Sequence, residues 1–147
     1  MAEISGGEKL AAKLRELAQY VTTPATLRVG WLEGATGSDG MSIPLRAALT
    51  EYGVPSHGQP PRPAFRNMIA AKSKGWGDLV AQGLKNTNYN GPAAMRQVGD
   101  VIAGQLHESV ATITSPPLAA STIARKGFAK PWIETGETLA AIAYEVI

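Results

Sequence analysis

Between Ile43 and Ile69 the chain reads IPLRAALTEYGVPSHGQPPRPAFRNMI, and this stretch restricts the fold more than any other. Leu45 to Tyr52 has the composition of a short apolar helix, and Gly53 stops it. The residues that follow, loop 53–61, are rich in Pro, Gly, Ser and His and are expected to form no regular structure. Pro61 and Pro63 then mark a new helix start, because proline is tolerated in the first helical turn and disrupts the interior. A helix, a corner and a second helix therefore have to be accommodated close together, with the rest of the chain built around them.

The length of 147 residues suits a single domain over 1–147. A chain of this size buries about two-thirds of its unfolded surface, so a core can form without disulfides or metal. It has no cysteine, which excludes thiolate nucleophiles, Cys-based zinc sites and disulfide scaffolds. Fourteen basic and twelve acidic residues give a net charge of +2, too balanced to point to nucleic acid. No apolar run approaches the roughly 20 residues that span a bilayer. The start, MAEISGGEKL, is acidic and polar where a signal peptide is basic and then apolar, so a soluble chain made in the cytoplasm, without a membrane partner, is expected.

Ser5 and Glu8 have the spacing of a capping box, and Leu10, Leu14, Leu17 and Val21 follow on one helical stripe. The spacing predicts a helix from Glu8 to about Tyr20, with Lys9, Lys13, Arg15, Glu16 and Gln19 on a solvated face. Leu27, Val29 and Trp31 alternate with Thr26, Arg28 and Gly30, the period of a half-buried strand over about Ala25 to Glu33. Loop 34–42 carries three spaced glycines but no Gly-Lys-Ser/Thr ending, so it reads as a flexible hairpin or loop tip and not as a phosphate cradle. Phe65, Met68, Ile69, Trp76, Leu79, Val80 and Leu84 keep helical phase from Pro63 to about Lys85, with Gly75, Gly77 and Gly83 predicting a kink or break. Met95, Val98, Ile102, Leu106 and Val110 define a long helix from Pro92 to about Ala111. Thr112 to Pro117 reads as extended, Leu118 to Lys126 as a short helix ending at Gly127, and Leu139 onward as a helical turn passing into a strand. The expected fold is α+β: a small antiparallel or mixed sheet packed against several helices.

The catalytic inventory is thin. His107-Glu108-Ser109-Val110-Ala111 begins like the zinc motif His-Glu-x-x-His but has alanine in place of the second ligand, so His107 is read as solvent-facing. There is no Gly-x-Ser-x-Gly elbow, and a carboxylate pair can only be assigned once the fold is known. No enzyme activity, cofactor or metal is expected. Arg62, Arg66, Lys72 and Lys74 flank the proline corner, and Arg125, Lys126 and Lys130 surround Gly127. These basic clusters fit an arginine-rich protein interface better than a nucleic-acid site, given an aromatic content of 6%.

Three stretches carry a resemblance. Ala47, Glu51-Tyr52-Gly53, Pro60, Arg62-Pro63 and Arg66 are similar to the pattern A-x-x-x-E-(F/Y)-G … P-x-R-P-x-x-R of the tail-completion and neck proteins of tailed bacteriophages. Pro117-Leu118 with Thr122 to Gly127 resembles that family's W-x-P-L-x-x-x-T-x-x-x-K-G segment, and Pro131 to Ile142 its P-L-(I/W)-x-T-G-x-L-x-x-(S/A)-I ending. The chain departs from the pattern at Ala64, where the family more often has an aromatic, and at Ser115, where it often has Trp. The resemblance implies a non-enzymatic virion part, assembled in the host cytoplasm, that forms a ring, sixfold in the family, at the head-tail joint or tail end. Its implied partners are further copies of itself and neighbouring neck, connector or tail-tube proteins, with DNA passing through the ring. The residues expected at its interfaces are Glu51, Tyr52, Arg62, Pro63, Phe65, Arg66, Arg125 and Lys126. The alternative is a small nucleic-acid-binding module using the two basic clusters.

Overall fold

The computed structural model describes residues 6–127, Trp132 and 136–147. Ser5 of the expected capping box, Lys130 of the second basic cluster, and Pro131 and Ile133 to Thr135 of the expected C-terminal motif lie outside these residues.

Helix α1 runs Gly7–Thr22, strand β1 Leu27–Trp31, helix α2 Ile43–Tyr52 and helix α3 Ala64–Lys72. A 3-10 turn at Ser73–Gly75 separates α3 from α4, Trp76–Asn86, so the predicted Pro63 to Lys85 helix is broken at the first of its glycines. Helix α5, Gly91–Thr112, is the longest, and α6, Ala120–Lys126, and the single turn α7, Glu137–Ala140, precede strand β2, Ile142–Val146. The fold is α+β, as expected, and its sheet is antiparallel.

Helix α5 is the axis of the packing. Asn90 caps it by accepting a hydrogen bond from the Ala93 amide at 3.0 Å, and Pro92 lies in its first turn. Its stripe of Val98, Ile102, Leu106 and Val110 is buried, with α3, α4 and both strands laid against it. In the sheet, Leu27 pairs with Val146 and Trp31 with Ile142. Leu27, Val29 and Trp31 face the core, while Arg28 and Glu145 form an exposed pair at 3.3 Å on the far side. Two glycines permit close approach to α5. The Tyr144 ring lies where a Cβ on Gly99 would stand, 2.5 Å from it, and the Ala94 carbonyl would meet a Cβ on Gly83 at 3.3 Å. An aromatic group closes the lower core: Trp31 stacks on Trp132 with centroids 5.2 Å apart, and Phe65 leans on Trp31 at 6.1 Å.

Three expectations need correction. The stripe on α1 does not join the core cluster: Leu10, Leu14 and Val21 are largely exposed, and Leu17 is half-buried. Loop 53–61 does contain regular structure, since Val54 and Gln59 form a β-bridge around a 3-10 turn at Pro55–His57. Loop 34–42 is no loose tip. A bridge between Thr36 and Ser42 closes it, and Arg46 of α2 binds Asp39 at 2.6 Å and Glu137 at 3.6 Å, so the loop is fastened to α2 and α7.

Candidate functional site

The corner between α2 and α3 gathers most of the residues that the sequence singles out. Helix α3 begins after Pro61-Arg62-Pro63, and Pro63 has neither an N–H nor a side chain able to cap. The first amides of the helix must therefore find acceptors elsewhere. The Ala64 amide donates to the Arg62 carbonyl at 2.9 Å. The amides of Phe65 and Arg66 each donate to one oxygen of the Glu51 carboxylate at 3.0 Å. Glu51, in the last turn of α2, is thus the cap of a different helix, and its charge opposes the positive end of that helix's dipole. It is buried at 5% exposure, which a carboxylate tolerates only when its oxygens are satisfied.

Arg66 completes the exchange. Its Nε donates to Glu51 Oε1 at 3.1 Å, and its Nη2 donates to the Glu51 backbone carbonyl at 3.0 Å, at the end of α2. Its guanidinium lies 4.8 Å from the centroid of the exposed Tyr52 ring, a cation–π contact. Gly53 turns the chain away with φ of 77°, and a Cβ there would stand 2.6 Å from the Gln59 carbonyl oxygen and the Pro61 nitrogen.

Arg62 ties this corner to the C-terminal third. Its amide donates to the Thr50 carbonyl at 3.0 Å, its Nε to the Pro116 carbonyl at 3.0 Å and its Nη2 to the Pro117 carbonyl at 3.2 Å. Its own carbonyl accepts from the Trp132 indole at 3.1 Å. The side chain is 6% exposed, and burial lowers its pKa from the usual arginine value. Pro63 and Phe65 are half-buried, with the Phe65 ring against Gly30.

Beside the corner lies an open cleft of about 960 Å³, bounded by loop 34–42, α2, loop 53–61, the segment 117–119 and α6. Arg46, Arg62, Arg125, Lys126, His57 and Gln59 are among its lining residues. Asp39 and Glu137 answer Arg46 on one wall, and the Met41 amide, helped by Arg46, holds the Asp39 carboxyl below its usual range. On the other side of α2 a shallow apolar groove of about 290 Å³ runs between Trp31, Phe65, Ala48 and Tyr52.

The structure therefore brings Glu51, Tyr52, Arg62, Pro63, Phe65 and Arg66 together and sets Arg125 and Lys126 across the cleft. Glu51 and Arg62 spend their polar groups inside the fold. Tyr52, Arg66 and Arg125 reach solvent, and Lys126 does so in part. Sequence reasoning missed Arg46, which pins loop 34–42; its only sign was a lone basic residue in an otherwise apolar helix. His107 is exposed, and among the described residues no group of His, Cys, Asp or Glu is arranged to hold a metal. Compared with protein-family models, with curated proteins and with solved structures, the chain has no match in any of the three.

Proposed function

We propose that this chain is a non-enzymatic structural protein of a tailed-phage particle, assembling as a ring at the neck or tail end beside connector or tail-tube proteins. The observation that carries this reading is the convergence at Arg62. Of the three stretches that resemble the tail-completion pattern, the first ends at Arg66 and the other two begin at Pro117 and Pro131, and Arg62 of the first touches both: its side chain donates to the Pro117 carbonyl, and to that of Pro116 before it, and its backbone carbonyl accepts from the Trp132 indole. A pattern whose separate parts meet at one buried arginine is a structural unit, which is what a shared fold element requires. The outward-facing residues of that unit, Tyr52 and Arg66, are types enriched at the centres of protein interfaces.

The nucleic-acid alternative has less to work with. Of its first basic cluster, Arg62 is committed to carbonyls and Arg66 to Glu51. Mass determination of the purified protein, alone and mixed with connector or tail-tube proteins, at low and high salt, separates the two. A ring that persists at high salt, alone or on addition of a partner, supports the structural reading. A monomer that ignores those partners and binds DNA with steep salt dependence overturns it.

A further inference from the structure

Arg62 is a buried cation whose side-chain hydrogen bonds go to uncharged groups. It is 6% exposed, its Nε and Nη2 donate to the Pro116 and Pro117 carbonyls, and none of the ion pairs among the described residues includes it. Burial lowers its pKa, and no carboxylate among the described residues opposes that shift. Carbonyls satisfy donors without neutralising a charge, and a cation taken out of water is stabilised by an anion beside it. The guanidinium also carries more N–H groups than these two carbonyls use. Both on Nη1 and the second on Nη2 remain, at the end of the fork that a carboxylate can grip with two bonds. No side-chain nitrogen or oxygen of the described residues is both buried and without a partner. Nη1, which has no partner among them, is therefore the part of this side chain that reaches solvent, and the open space that Arg62 lines is the cleft.

We propose that the cleft is a binding site for an acidic peptide segment of a partner protein, whose carboxylate is held by the outer edge of the Arg62 guanidinium. Charge supports an anion. The cations Arg46, Arg62, Arg125 and Lys126 line the cleft against the carboxylates of Asp39 and Glu137, and both of those carboxylates bind Arg46. The balance is positive, and its buried, unanswered member is Arg62, so an anion gains most there. A peptide suits this distribution better than nucleic acid does. Asp39 and Glu137 repel a strand that is charged at every phosphate, whereas a peptide brings one carboxylate with neutral neighbours. Size and walls agree. At about 960 Å³ the cleft is near the top of the roughly 300–1,000 Å³ range of ligand sites and much larger than a single ion. Met41 and Leu49, 44% and 39% exposed, and Leu118 offer apolar contact to the residues beside the carboxylate. The inference stands without the ring reading.

Calorimetric titration of the full chain with the capped peptide Ala-Leu-Asp-Leu-Ala tests the site. One-to-one binding is expected, weakening by about tenfold or more when Asn replaces the Asp of the peptide, a change that leaves the protein untouched. Arg62 also holds the corner together, so the protein is altered at Leu49, an exposed position on the cleft wall. Leu49→Glu is expected to keep the unfolding profile and to weaken binding of the Asp peptide by about tenfold or more, while the neutral Leu49→Gln stays within about threefold of the parent chain. Equal affinity for the two peptides, binding of neither, or indifference to Leu49→Glu overturns the inference. A short oligothymidylate that displaces the peptide with steep salt dependence also overturns it, in favour of nucleic acid. Glu134 is the carboxylate of segment 128–135. If Glu134→Gln tightens binding of the Asp peptide about tenfold, the chain's own carboxylate already answers Arg62, and an outside occupant is overturned. A ring that forms while neither peptide binds overturns the peptide site and leaves the ring reading standing.

Discussion

Glu51 accepts two amides from the start of α3 and one guanidinium N–H from Arg66, so its loss leaves several donors without acceptors. Glu51→Ala is expected to cost about 2–3 kcal/mol, the penalty for unpaired, partly buried donors. Glu51→Gln, which keeps one accepting oxygen, should cost roughly half of that in urea unfolding. At Gly53 the positive φ and the 2.6 Å approach of Gln59 and Pro61 act together, so Gly53→Ala should destabilise by about 2 kcal/mol or more in the same assay. Tyr144 supplies a pH effect. Hydrogen bonding to the Asp100 carboxylate raises the Tyr144 pKa, desolvation and then the Asp100 charge add to the rise, and the Arg96 charge opposes it. Because the folded value lies above the unfolded one, this contribution is fully present below about pH 10 and is lost as pH rises through the folded value. Absorbance titration near 295 nm should show one tyrosine ionising later than the rest, and Asp100→Asn should bring it back. The part played by Glu51 was not legible in the sequence. Its partners lie 14 and 15 residues away across a proline corner, and spacing alone cannot distinguish a residue facing outward from one turned in to cap a neighbouring helix.

At the scale of elements, the sequence was most informative where a single periodicity decides the structure. The stripe of α5 and the alternation of β1 are each set by one face meeting one core, and both elements fall within two residues of expectation. The break between α3 and α4 was legible only as a cluster of glycines, since phase continues from Met68 to Leu79 across Ser73–Gly75. Loop 53–61 was misjudged because its Val54–Gln59 bridge is a tertiary closure around the 3-10 turn and not a propensity. Helix α5 offers a controlled comparison. A Cβ at Gly104 meets nothing within 4 Å, whereas one at Gly99 would meet the Tyr144 ring at 2.5 Å. Gly104→Ala should therefore stabilise by about 0.5–1 kcal/mol through helix propensity. Gly99→Ala should destabilise by about 1–3 kcal/mol through overpacking, because the ring must move off its seat between α5 and the sheet. Opposite signs from one substitution type in one helix, read as midpoints of thermal unfolding, check the placement of β2 on α5.

At the scale of the molecule, burial is unevenly divided between the helices. The core gathers around α5, while α1 carries its own apolar stripe away from it. Periodicity announced that stripe in the sequence but could not say which body it faces, because an amphipathic helix has the same pattern whether its partner is its own core or another chain. Native-state hydrogen exchange distinguishes these. In a dilute monomer the amides of Val98, Ile102, Leu106 and Val110 should exchange only through global unfolding, since their side chains form the centre of the core. The α1 amides, supported by little tertiary burial, should exchange roughly a thousandfold faster or more, given a domain stability of about 5–15 kcal/mol. Covering of α1 by a second body should slow its exchange and leave that of α5 unchanged, because α1 would gain a burial partner and α5, already buried, would not. Protection of α1 to the level of α5 in the monomer would mean that its leucines are already covered within one chain, and that the stripe contributes to folding as the α5 stripe does.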